Sequence, residues 1–160
     1  MDDDGAMSTV ERLTADLTAS MKARTAFRTN TLRQVIGAVR VAQKAGPAEV
    51  ELTEEQVQAV LGAEVKKRRE SAQIYTEAGA GERAEVETTE ADLIETYLPV
   101  ALTAEQLDTL VADAVVATGA TSLKDMGAVM KAAQAAAVPL GRVDGKALSA
   151  RVRATLTATA

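Results

Sequence analysis

The sequence predicts an all-α protein made of two small helical subdomains: an N-terminal four-helix unit around a long third helix, and a C-terminal three-helix unit. Three observations carry that prediction. Apolar residues recur at helical spacing along nearly the whole chain, and the alternation expected of strands is absent, so no sheet is expected. Capping boxes stand at Ser8/Glu11, Thr53/Gln56 and Thr103/Gln106, each ahead of an apolar run. Breakers separate the runs at Gly46-Pro47, Gly79-Ala80-Gly81, Pro99, Gly119 and Pro139-Leu140-Gly141.

Residues 1–7, with Asp2, Asp3 and Asp4 together, lack apolar periodicity and read as a solvated, disordered tail. The first helix starts at Ser8 and aligns Val10, Leu13, Leu17 and Met21. The second runs from about Phe27 to Ala45 with Leu32, Val35, Val39 and Ala42 inward. The third runs from Thr53 to about Ala78 without a breaker, nearly 40 Å at about 1.5 Å per residue, and so forms the spine of the N-terminal half. The fourth, Glu82 to Tyr97, turns Val86, Leu93, Ile94 and Tyr97 inward, with Glu90 in the same stripe.

Pro99 marks the expected domain boundary, giving an N-terminal domain over 8–98 and a C-terminal domain over 99–160. There the fifth helix buries Leu107, Leu110, Val111 and Ala114. The sixth, capped by Ser122 with Asp125, presents Met126, Val129, Met130, Ala133 and Ala137. The last, from Asp144 to about Leu156, presents Leu148, Val152 and Leu156.

Composition removes whole classes of chemistry. The chain has no His and no Cys, which excludes thiol and serine–histidine nucleophiles, histidine proton shuttles and the usual zinc sites. Neither a metal-ligand cluster nor a pair of general acid/base carboxylates stands out, so no catalytic residue, metal or cofactor is assigned. No apolar run approaches the roughly 18–20 residues that span a bilayer, and no signal-peptide pattern opens the chain, so a cytoplasmic protein is expected.

The net charge of −5 conceals segregation. Leu17 to Ala48 holds six bases and no acid, Glu77 to Asp113 holds ten acids and one base, and Met126 onward holds five bases and one acid. An acidic total therefore leaves room for basic surfaces.

Two constellations follow. In the third helix Glu64, Arg68 and Ser71 interrupt the stripe of Val57, Val60, Leu61, Ala72 and Tyr75; Arg28 and Glu90 interrupt the neighbouring stripes. Charges in a core need partners, so these five residues read as a structural polar network fixing how helices two, three and four pack. The competing reading is a phosphate pocket on Arg28 and Arg68. The second constellation is on the surface: Arg33, Arg40 and Lys44 along helix two, Lys66, Lys67 and Arg69 around helix three, and Lys131, Arg142 and Lys146 in the C-terminal unit. Such cations neutralise RNA phosphates without reading sequence; alternatively they are a solvated face or pair with the acidic fourth helix. The Gly141-Arg142-Val143-Asp144-Gly145-Lys146 loop reads as a capping turn with Asp144 as N-cap, or as an anion cradle.

The segments Thr31-Leu32-Arg33, Val65-Lys66-Lys67-Arg68-Arg69-Glu70-Ser71 through Tyr75, Tyr97-Leu98-Pro99, Asp125-Met126-Gly127-Ala128-Val129-Met130 and Gly141 through Gly145 follow one another as in the YqeY-like proteins, which the chain resembles from about helix one onward. That family is similar in its C-terminal part to the tail of the B subunit of the tRNA-dependent amidotransferase. The resemblance implies a two-part helical fold and a tRNA-associated accessory module without its own active site. It also implies amidotransferase or aminoacylation components as partners: either the module docks on them as a protein-interaction unit, or it assists glutamine-dependent amidation, a carbon–nitrogen ligase reaction whose active site a partner would carry. Where relatives tend to carry Arg ahead of helix four, this chain has Gly79-Ala80-Gly81-Glu82.

Overall fold

A computed structural model describes residues 6–48 and 50–158. The tail expected over 1–7 lies outside the described residues for its first five positions; Ala6 and Met7 precede the first helix. The described residues form seven α-helices: α1 (Thr9–Lys22), α2 (Ala26–Ala45), α3 (Glu54–Glu77), α4 (Gly81–Glu95), α5 (Ala104–Thr118), α6 (Met126–Ala137) and α7 (Gly145–Ala158), with a single 3-10 turn at Leu123–Asp125. The protein is all-α. No helix among the described residues is long and apolar enough to cross a membrane.

The capping boxes form. Ser8, Thr53 and Thr103 each accept the N–H three residues on, and the side chains of Glu11, Gln56 and Gln106 return the bond to the cap's own N–H. By contrast, α2 and α4 begin at Thr25 and Ala80 with no side-chain cap.

The chain divides into two compact units, Met1–Leu98 and Pro99–Ala160. In the first, α1 and α2 form a hairpin and α3 pairs with α4. Leu13, Leu32, Val35, Leu61 and Ile94 fill the centre, each at 1% exposure or less. Burying each of these aliphatic side chains contributes about 1.5–3 kcal/mol. The α1–α2 turn is tight: Arg24 adopts left-handed φ of 57°, Thr25 N–H donates to Ser20 O at 3.1 Å, and the Ser20 and Thr29 hydroxyls meet at 2.8 Å.

Three residues expected inward are exposed: Val10, Met21 and Val86. The cause is angular. At about 100° per residue, Val86 lies about 140° around α4 from the buried Ala91. Val10 and Met21 sit about 60° and 80° from Leu13, on a flank of α1 that no helix covers.

In the second unit α5, α6 and α7 close on Leu110, Val111, Val129, Ala133, Leu148, Val152 and Leu156. Small side chains on α6 let its backbone approach its neighbours. No sheet forms among the described residues; the one β-type contact is an isolated parallel bridge between Ala101 and Arg142, with Arg142 N–H donating to Val100 O at 3.1 Å and Leu102 N–H to Arg142 O at 2.9 Å. Neither short segment has the apolar alternation that announces a strand. Gly141 makes the bridge possible, because with φ of 146° a Cβ there would stand 2.5 Å from Val100 O.

Candidate nucleic-acid interface

The charged residues of the α3 stripe resolve into a buried bridge. Arg68 is 5% exposed; its Nε donates to Glu90 at 2.8 Å, Nη1 to Glu64 at 2.5 Å and to the Glu64 carbonyl at 3.1 Å, and Nη2 to Gln34 at 2.8 Å. One guanidinium thus ties α2, α3 and α4 together. Burial by itself would lower its pKa, but the bonds and charges of Glu64 and Glu90 outweigh that and raise it. With four of its five N–H donors bonded inside the protein and its charge met by two carboxylates, Arg68 is spent on packing, and the phosphate-pocket reading fails on it.

Two of the five residues expected in this network lie elsewhere. The bonds of Arg68 do not go to Ser71, which is half-buried one turn away. Arg28 belongs to a second cluster, 3.2 Å from Asp16 and 3.2 Å from the Tyr97 hydroxyl. There the buried Tyr97 donates to Asp16 while Arg12 stacks over its ring at 5.3 Å. Burial first, and the Asp16 carboxylate second, push the Tyr97 hydroxyl up to about 12. Sequence reasoning missed Gln34, Asp16 and Arg12 as partners. The signal for Asp16 was Tyr97 itself, since a tyrosine within an apolar stripe needs an acceptor for its hydroxyl; nothing in the sequence pointed to Arg12 over the ring.

The surface cations divide sharply. On α3, Arg69 lies 2.6 Å from Asp92 and 3.2 Å from Glu95 of α4, and both bonds raise its pKa against a smaller cost of burial. Lys66 stands 4.0 Å from Glu70, and Lys67 is exposed. Along α2, Arg33, Arg40 and Lys44 are exposed, and no ion pair among the described residues holds them. Spaced at seven and four residues, they fall within about 40° of one line, about 16 Å long. That line borders a groove between α1 and α2. One depression in it is lined by Val10, Leu13, Thr14, Ile36, Val39 and Arg40, and another by Met21, Arg24, Ala26, Thr29, Asn30 and Arg33. Every charged residue lining the two depressions is a cation. Arg24 joins the set from the turn.

In the second unit Lys131 and Lys146 are exposed, whereas Arg142 is half-buried with its backbone committed to the bridge. Asp144 accepts from the N–H groups of Lys146 and Ala147 at 2.9 and 3.4 Å, so the anion at the start of α7 is the chain's own carboxylate. The loop is a capping turn. At the α3–α4 corner, which lacks Arg before the helix, Arg83 of the first turn of α4 reaches back over the Tyr75 ring at 5.8 Å.

Fold and site together define an all-α protein whose first unit is locked by a buried arginine bridge and carries an uncompensated basic groove. The sequence matches the family described as Yqey-like protein over residues 10–156, and the chain belongs to that family. No curated protein matches it.

Proposed function

We propose that the protein is a tRNA-associated accessory module that holds structured RNA by phosphate contacts and carries no active site of its own. The observation that supports this reading best is the α1–α2 groove, lined by Arg24, Arg33 and Arg40 and continued along α2 by Lys44, all four without an ion pair among the described residues. Cations of this kind bind phosphate by releasing counterions, and the affinity falls steeply with salt. The family resemblance suggests the class of RNA: the amidotransferase B tail, to which the C-terminal part of the family is similar, helps hold tRNA, and the α1–α2 groove would add a contact from the N-terminal unit.

Bulk tRNA in a mobility assay over a salt series tests the proposal. Binding at low salt that weakens steeply, and a loss of roughly 100-fold in Arg33→Glu/Arg40→Glu/Lys44→Glu, supports it. Absence of binding by the wild-type protein at low salt would sink it. A second reading, docking on an amidotransferase or aminoacylation component, draws on the second unit, where Val100, Val116, Val138 and Leu140 are each more than half exposed.

A further inference from the structure

The α2 line of cations contains a residue that the fold does not ask for. Gly37 lies between Arg33, four residues before it, and Arg40 and Lys44, three and seven after it, on the same side of the helix. After proline, glycine is the least favourable residue in a helix interior. Within proteins it is retained there when another segment packs too closely for a side chain, or when the backbone turns left-handed. Neither applies at Gly37 or at Gly62 of α3: each lies within a regular helix, and a Cβ built on it meets nothing within 4 Å. What sets Gly37 apart is that cations without an ion pair among the described residues, Arg33 and Arg40, stand on both sides of it. The space above it opens outward among the cations.

We infer that Gly37 is the point of closest approach between α2 and the sugar–phosphate backbone of double-helical RNA, with Arg33 and Arg40 gripping phosphates on either side. This rests on the RNA reading above and says where, and against which form of RNA, the contact is made. A missing Cβ lets a backbone settle on the helix surface, shortening the reach from both guanidiniums at once. The occupant follows from charge and shape. Cations in one line about 16 Å long match a run of backbone phosphates, and an A-form duplex is recognised by its shape and backbone. Single strands are held by stacking bases on aromatic rings, and neither depression is lined by one.

Gly37→Ala separates this contact from stability, because the two readouts move in opposite directions. The substitution should raise the thermal midpoint, as alanine suits the helix and has room. It should lower affinity for an RNA duplex of arbitrary sequence about fivefold, the scale of a single hydrogen bond to phosphate. Gly62→Ala is the matching change on α3, where a Cβ also meets nothing but the following Arg69 is held by Asp92 and Glu95. It should raise the midpoint and leave affinity unchanged. Unchanged affinity in Gly37→Ala, or an equal loss in Gly62→Ala, overturns the inference. So does a single strand of the same sequence, or poly-glutamate, binding as tightly as the duplex with the same sensitivity to Gly37→Ala. If the wild-type protein binds no RNA at low salt, the RNA reading itself fails; binding that is lost on reversal of the α2 charges but survives Gly37→Ala defeats only this inference.

Discussion

Helix pairs α1–α2 and α3–α4 both carry basic residues at close spacing, yet carboxylates take up the two arginines of α3 and leave Lys67 exposed, while Arg33, Arg40 and Lys44 along α2 are all left to solvent. Arg68 and Arg69 of α3 are taken up by Glu64, Glu90, Asp92 and Glu95, whereas Arg33, Arg40 and Lys44 of α2 meet no carboxylate among the described residues. The difference comes from the neighbour. α4 brings six acids against one base, while of the two acids of α1, Glu11 caps the helix and Asp16 is engaged by Arg28 and Tyr97. A basic segment therefore stays uncompensated only where its packing partner has no carboxylate to spare.

The largest expected effect lies on the compensated side. Arg68→Ala leaves Glu64 and Glu90 facing each other in a site that is nearly closed, and should cost about 3–5 kcal/mol in denaturant unfolding. Combining it with Glu64→Gln and Glu90→Gln should recover part of that loss. If Arg68→Ala unfolds like the wild type, the bridge does not lock α2, α3 and α4.

Tyr97 gives a smaller effect with a distinct pH signature. Its hydroxyl is held at about 12 in the folded protein, above the ordinary value near 10. The stability it contributes is complete below pH 10 and is lost as the pH rises through about 12. Tyr97→Phe should cost about 1 kcal/mol near neutrality and remove that part of the alkaline decline. A wild-type phenolate titration complete by about pH 10 contradicts the assignment. The smallest change is expected at Arg69→Gln: its partners are partly solvated, so unfolding should shift by less than about 1 kcal/mol.

Most of the architecture was legible because helices announce themselves locally. Capping boxes at Ser8, Thr53 and Thr103 set starts within a residue, since both reciprocal bonds lie inside a four-residue window. The exposed Val10, Met21 and Val86 were misread because a stripe shows one face of a helix but not how much of that face a neighbour covers. Likewise, the anomaly of Arg28 was visible, but its partner was not: Asp16 is 12 residues away, and Tyr97 is 69. The Ala101–Arg142 bridge pairs single residues far apart in sequence, below any periodic signal.

Within the candidate interface, the sequence placed cations on α2 and α3 alike. The structure separates them at Arg69, which Asp92 and Glu95 hold, and at Lys66, which faces Glu70 at 4.0 Å, whereas no carboxylate among the described residues meets the α2 set.

That distinction is most directly measured by the salt dependence of tRNA binding in two neutralised variants, Arg33→Gln/Arg40→Gln/Lys44→Gln on α2 and Lys66→Gln/Lys67→Gln/Arg69→Gln on α3. Removing one phosphate-binding cation should flatten the slope of log affinity against log salt by roughly 0.7–0.9. The slope should be flatter by about 2–3 for the α2 variant and should change less for the α3 variant, whose Arg69 is already held by Asp92 and Glu95. Equal slopes in the two variants, or a greater flattening from α3, would contradict that distinction.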